Sequence, residues 1–250
     1  MFYTEDEEKI VKKFNSYKEM CIRGYKTTLT KFLNLREQEL LKYVIGNNDS
    51  IYLYFSNLSS SDEAKRALIS PFEIIPDFNI SILKLEYDKR FIKLEHRHIL
   101  GSIMSLQIER NMIGDILINK DSDVYLITSK EMEDFIKDNL TSIDHTPINY
   151  VNVEKIDGDF TPEYKVKKVF AQSLRVDLII AESFNLSRAK AQELIRDSAL
   201  KINQGVELNP IKNIKESDLI SLRGYGRVKV LQVGGLSKSG KILVELGLLK

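Results

Sequence analysis

A single cysteine in 250 residues excludes an internal disulfide, and Cys21 alone supplies no metal framework. The three histidines, His96, His98 and His145, are a thin basis for a metal or catalytic centre. On a helix, His96 and His98 would point about 200° apart, too far to chelate one ion from one face. No apolar run approaches the roughly 20 residues needed to span a bilayer. The opening MFYTEDEEKIVKK is acidic and amphipathic and carries no basic-then-apolar signal pattern. Net charge is also nearly absent, at +1. These absences lead to the expectation of a reduced, cytoplasmic protein with no cofactor, no metal and no membrane segment. The remaining composition, 43% hydrophobic and 29% charged, is that of a globular chain with room for one large domain or two to three small ones.

The near-zero net charge conceals a division. Residues 163–250 hold 16 Lys+Arg against 9 Asp+Glu, a net +7, and the rest of the chain holds 21 against 27, a net −6. A basic end on an acidic front suits a nucleic-acid-binding module carried by another body.

Read in order, the chain starts with a helix over about Glu5–Ile22. A capping box of Thr4 and Glu7 introduces it, and Ile10, Val11, Phe14, Tyr17 and Cys21 form its apolar stripe. A second helix starts at Asn34, with Glu37 three residues on, and stops at Gly46. Ser50–Phe55 is a strand, and Asp62 is expected to cap a short helix over Glu63–Ile69. Strands follow over Asn79–Tyr87 and near Phe91–Leu94, then a helix over His96–Leu106. Strands Ile113–Ile118 and Asp123–Ile127, a helix over Lys130–Asn139 and a strand over Ile148–Val153 complete this part. Such a mixture predicts a two-layer α+β fold. Asp157–Glu163, with Gly158 and Pro162, reads as a linker.

Residues 173–231 then read helix, turn, helix, strand, turn, strand. Ser187 is the expected N-cap of the second helix. Ala191, Leu194 and Ile195 share its apolar face, and Arg188, Gln192 and Arg196 form a stripe beside it because each is four residues from the last. Lys201 and Asn203 alternate with Leu200 and Ile202 on the following strand. Arg223 and Arg227 flank a Gly224-Tyr225-Gly226 turn, with Lys229 on the same strand face as Arg227. The expected RNA-binding set is Arg175, Ser187, Arg188, Lys190, Gln192, Arg196, Lys201, Asn203, Arg223, Tyr225, Arg227 and Lys229. Asp177 is expected to orient Arg175 rather than to touch RNA.

Leu174-Arg175-Val176-Asp177, Leu186-Ser187-Arg188-Ala189-Lys190-Ala191, Leu194-Ile195, Leu200-Lys201-Ile202-Asn203 and Asp218-Leu219-Ile220 resemble the S4 RNA-binding domain. The chain departs from that pattern at Ser198 and at Glu216-Ser217, where the family commonly has glycine at turns. Farther back, Leu94-Glu95-His96-Arg97-His98-Ile99-Leu100-Gly101-Ser102, Ile108-Glu109-Arg110 and Ile113-Gly114-Asp115-Ile116 are similar to the middle domain of the YlmH family, bacterial proteins with a C-terminal S4 domain. The resemblance covers nearly the whole chain. It implies an N-terminal helical/α+β unit over 1–75, an α+β domain over 76–160 that resembles an RNA-recognition motif, and an S4 domain over 170–250. It also implies association with the large ribosomal subunit, contact with ribosomal RNA and tRNA, quality-control factors as partners, and a part in the rescue of stalled nascent chains. The aromatic base-stacking signature of an RNA-recognition motif is missing from the middle domain.

Chemistry is weakly represented. Gly235–Lys241 looks like a phosphate-binding loop, but Ile242 stands where a magnesium-binding hydroxyl is required, so a basic hairpin is expected, with Lys238 and Lys241 touching phosphates or water. No separate pseudouridine-synthase motif is present, nor the Gly-rich strand-to-helix turn of a methyltransferase, nor a synthetase signature. The expectation is a non-enzymatic RNA-binding protein with no catalytic residues. Two alternatives stay open: an RNA-modifying enzyme with its site in residues 50–155, and a cell-division-linked scaffold that binds protein through the first 160 residues.

Overall fold

The computed structural model describes residues 5–59, 61–90, 92–158, 160, 164–237 and 240–249. The chain divides into two compact units, residues 1–161 and 162–250. Thr4, Phe91, Pro162, Glu163 and Lys238, which entered the expectations above, lie outside the described residues.

The first unit opens with helix α1 (Glu5–Gly24), whose first turn holds Glu5, Asp6, Glu7 and Glu8 against the positive end of the helix dipole. Strand β1 (Thr28–Leu29) leads to α2 (Leu35–Ile45). A complete capping box starts α2: the Asn34 side chain accepts the Glu37 N–H at 3.0 Å, and Glu37 accepts the Asn34 N–H at 2.8 Å. Gly46, at φ +64°, ends it. Strands β2 (Tyr52–Phe55) and β3 (Ala67–Ser70) complete an antiparallel sheet in the order β1-β3-β2. Phe14 and Cys21 of α1, Leu40, Leu41 and Val44 of α2, and Ala67 and Ile69 of β3 form one core. The Cys21 thiol sits in that core, fully buried, and burial pushes its pKa up.

Two expectations fail in this unit. The helix expected over Glu63–Ile69 is replaced by β3, because Ala67–Ser70 pairs with β2 on one edge and β1 on the other. Buried Arg66 anchors the strand, donating to Thr30 O at 2.8 Å and Asn79 O at 2.9 Å. Asp62 closes a loop by accepting the Leu58 N–H at 3.1 Å instead of capping a helix. Residues 92–94 likewise form no strand, and Leu94 plugs the core next to them.

The unit continues with β4 (Ile80–Glu86), α3 (His96–Ser105), β5 (Ile113–Ile118), β6 (Val124–Ser129), α4 (Glu133–Asn139), the short pair β7 (Ser142–Ile143) and β8 (Thr146–Pro147), and β9 (Asn149–Val153). The four long strands form an antiparallel sheet in the order β5-β6-β4-β9. This β-α-β-β-α-β course, with the first and third strands central, is the split βαβ arrangement. Ile99 and Ile103 of α3 and Ile136 of α4 cover one face through Leu83, Leu85, Val124 and Leu126.

The second unit comprises β10 (Tyr164–Ala171), α5 (Val176–Phe184), α6 (Arg188–Arg196), β11 (Leu200–Ile202), β12 (Gly205–Val206), β13 (Leu219–Leu222), β14 (Gly226–Leu236) and β15 (Ile242–Leu249). One six-stranded antiparallel sheet runs β10-β15-β14-β13-β11-β12. Strand alternation sends Leu200, Ile220, Leu222, Val228, Val230, Val244 and Leu246 toward Ile179, Ile180, Ala191 and Ile195 of the two helices. β14 ends at Leu236 and β15 begins at Ile242, and no helix occurs among the described residues from Gly235 onward.

Candidate nucleic-acid interface

Asn185, at φ +54°, ends α5 in the left-handed conformation, and Ser187 starts α6 two residues later. The Ser187 hydroxyl accepts the Lys190 N–H at 3.1 Å, so the cap fixes where α6 begins. Ala191 and Ile195 are then buried, and Arg188 and Gln192 flank them on the side facing the start of α5. There Asp177, fully buried, accepts from both. Arg188 Nε is 3.1 Å and Gln192 Nε2 2.7 Å from its Oδ2. Arg175 closes on the same carboxylate with Nε 3.1 Å from Oδ1 and Nη2 2.8 Å from Oδ2. Burial pushes the Asp177 carboxyl up, but the bonds from Arg175, Gln192 and Arg188 outweigh it and hold the group below the usual carboxylate range.

The twelve expected residues separate into several groups. Arg175, Arg188 and Gln192 converge on Asp177. Lys201 and Arg227 both lie opposite Ser221, forming one row across β11, β13 and β14, with Lys229 two residues along; these occupy the sheet face away from the helices. Arg223 and Tyr225 belong to the β13–β14 turn, where Gly224 (φ +84°) and Gly226 (φ +121°) take up the reversal. The Tyr225 ring is half-exposed and rests 6.0 Å from that of Phe184. Lys190 is paired with Glu193 at 2.7 Å, and Arg196 is exposed at the end of α6.

Asn203 has an internal task. It stands in the β11–β12 turn at φ +50°, its amide donating to Asp218 Oδ1 at 2.9 Å while its oxygen accepts the Leu219 N–H at 2.9 Å. Both ends of the side chain are thus engaged in joining two turns. Among residues that sequence reasoning passed over, Lys167 donates to Glu182 O and to Asn185 Oδ1 (3.1 Å), placing a cation at the C-terminal end of α5. The signal available was the alternation in Tyr164–Ala171, which reveals a strand but not what it lies beside.

In the first unit, the sheet face away from α3 and α4 is covered by the chain itself. Ile82, Leu117, Tyr125 and Ile127 on the sheet pack against Phe32, Leu58, Ala64, Ile156 and Phe160. Tyr125 is 2% exposed, with the Phe160 ring 5.6 Å away edge-on and Lys84 Nζ 5.6 Å from its centre. Gly114 on β5 makes the cover fit, because a Cβ there would lie 2.8 Å from the Phe32 ring and 2.9 Å from Ile127.

Comparison with known proteins matches residues 75–157 to a family model described as "Putative RNA-binding domain in YlmH". Across 243 residues the chain is 29% identical to "Ribosome-associated protein quality control protein P2" of Bacillus subtilis (strain 168), covering 96% of this chain and 94% of that protein. It also matches the solved structure "Cell division protein ylmH from Streptococcus pneumoniae" with a TM-score of 0.52 and 26% identity, over 63% of this chain and 98% of that one. The chain is therefore similar to YlmH-type proteins along nearly its whole length.

The domain matched by the YlmH model has the strand order of an RNA-recognition motif, yet the face on which such a sheet stacks bases is closed. Several of its charged groups are paired. Arg97 is 2.9 Å from Glu95, and Lys89 and Lys84 are 2.5 and 3.2 Å from Asp123. Hydrogen bonds from Lys137, Ser81 and Asn152 hold the Glu133 carboxyl down at about 2. Among the described residues, no group of three or more His, Cys, Asp or Glu side chains could hold a metal, and no helix is long and apolar enough to cross a membrane.

Proposed function

We propose that this protein is a non-enzymatic RNA-binding factor of the large ribosomal subunit. Its second unit would act as an S4 RNA-binding domain on ribosomal RNA and tRNA during quality control of stalled nascent chains. The observation that carries this reading is the relationship along 96% of the chain to a protein named for ribosome-associated quality control. Charge and geometry support it. The net +7 resides in residues 163–250, and two guanidinium groups there are pre-oriented by one buried carboxylate. Arginine forks release counterions from structured RNA and set orientation without reading bases. The activity proposed is binding without a chemical step, so nucleosides of ribosomal RNA should have the same masses before and after incubation with the protein.

The test is co-sedimentation with large ribosomal subunits across a salt series. Replacing Arg188 and Arg196 with Ala should weaken binding on the order of tenfold or more and flatten the salt dependence by roughly 0.7–0.9 for each phosphate no longer neutralised. Unchanged co-sedimentation of the double variant would remove this surface from the function.

One observation favours a second reading, that of a protein scaffold. Tyr25 and Phe72 are stacked 6.2 Å apart at 70% and 54% exposure in the first unit, and Ile75 is 96% exposed. A nuclease-treated pull-down that keeps its protein partners, and loses them with Tyr25→Ser and Phe72→Ser, would support it.

A further inference from the structure

A buried acid in a surface meant for a polyanion needs a reason. Asp177 lowers the local positive potential, and at 0% exposure it is out of reach of any RNA atom. It nevertheless collects four hydrogen bonds from three side chains on or next to two helices. Arg175 Nη2 and Arg188 Nε are 2.8 and 3.1 Å from the same oxygen, so the two donors are no more than 5.9 Å apart. Of the five N–H groups on a guanidinium, Arg175 gives two and Arg188 one to this carboxylate. The others have no protein partner among the described residues, and the two side chains keep 29% and 53% of their surface exposed. A carboxylate serving only to hold the helices together would not leave two charged forks side by side with donors to spare.

We infer that Asp177 is a positioning residue for a phosphodiester site formed by Arg175 and Arg188, with Gln192 steadying the carboxylate. The inference rests on the RNA-binding reading above. Asp177 fixes both guanidinium groups before RNA arrives, so one phosphate can take an outward edge from each, one on either non-bridging oxygen. The cost of ordering two long side chains is met in folding rather than in binding.

Charge alone and positioning predict opposite signs. Asp177→Asn adds one positive charge toward the polyanion, so a pure charge argument expects tighter binding. Positioning expects roughly tenfold weaker binding and a salt slope smaller by about 0.7–0.9 for each phosphate no longer neutralised. The experiment uses the full chain, ribosomal RNA extracted from large subunits, and anisotropy titrations at several salt concentrations, with thermal unfolding measured alongside. A merely structural role would lower the melting temperature and leave the affinity and salt slope of the folded protein unchanged. Arg188→Lys serves where Asp177→Asn does not fold. The residue is on the surface, and Lys keeps the charge without the fork, so binding should fall nearly to the level of Arg188→Ala. Tighter or unchanged binding by Asp177→Asn, or wild-type binding by Arg188→Lys, overturns the inference. Failure of the wild-type chain to bind ribosomal RNA would instead overturn the RNA-binding reading itself.

Discussion

Asp115 offers a sharp test of how the first unit is held together. It lies within an irregularity in the β5–β6 pairing between Ile113 and Ile116, and its Oδ2 accepts the N–H groups of Glu63 (2.7 Å) and Ala64 (2.9 Å). Burial pushes its carboxyl up to about 6; the two backbone bonds oppose this, and the nearby Glu63 and Asp62 charges reinforce it. From an unfolded value of 3.8, the shift is worth about 3 kcal/mol at roughly 1.4 kcal/mol per unit. The folded-state value is raised, so between pH ~4 and ~6 the folded chain holds a proton that the unfolded chain has released. Stability therefore falls as pH rises through that window, and the full cost is present above it. Asp115→Asn keeps an oxygen to accept both N–H groups without the charge. It loses the extra strength of a charged acceptor, so the net gain at pH 7.5 should be about 1–3 kcal/mol. For a unit of this size that corresponds to about 2–12 °C in melting temperature, shrinking toward zero at pH 4. Calorimetry of the full chain and the variant at pH 4, 5, 6 and 7.5 measures the gap. A gap that stays constant or widens toward low pH would refute the reasoning, because the proton would then reside elsewhere.

Three further outcomes follow from backbone and packing. Ser198 (φ +57°) and Ser217 (φ +68°) hold left-handed conformations at the two turns where the S4 pattern has glycine, so Ser198→Gly and Ser217→Gly should each stabilise the second unit by about 0.5–1 kcal/mol in urea unfolding. Gly114→Ala should destabilise the first unit by about 1–3 kcal/mol, because Phe32 or the sheet must move; circular dichroism melts decide it. Tyr125→Leu should cost roughly 1–3 kcal/mol of stability and leave the ribosome affinity and salt slope of the folded protein unchanged, whereas a selective loss of RNA affinity would mean that bases reach that sheet face.

Local signals carried much of the fold. The Asn34–Glu37 capping box, the acidic first turn of α1 and the Ser187 cap need only neighbours in sequence, and the structure shows each of the three. The strands β4, β5, β6 and β9 fall where β-branched and apolar runs place them. Ala67–Ser70 was illegible for a physical reason. Asp62 followed by Glu63, Ala64, Lys65, Arg66 and Ala67 is good helix-forming sequence, and only pairing on two edges, from β1 and β2, overrides it. In the candidate interface, four-residue spacing placed Arg188 and Gln192 together, and Asp177 was legible as a partner for Arg175. Its bonds to Arg188 and Gln192 depend on how α5 and α6 cross, which spacing within one helix does not reveal. Asn203 escaped because its φ of +50° takes it out of strand alternation.

The covered sheet has the widest consequence for function. Its cover is assembled from Phe32, Leu58, Ala64, Ile156 and Phe160, on both sides of the domain in sequence, so no local pattern announces it. A trace is present in β6, where all six residues from Val124 to Ser129 are buried, as in a strand packed on both faces. With Tyr125 closed off, this unit cannot distinguish bases by stacking them on its sheet as an RNA-recognition motif does. On the reading proposed above, the second unit contributes guanidinium forks, which recognise phosphate position rather than base identity. On that proposal, recognition would follow the shape of the RNA backbone, strongly weakened by salt and little altered by base changes that preserve the fold of the RNA.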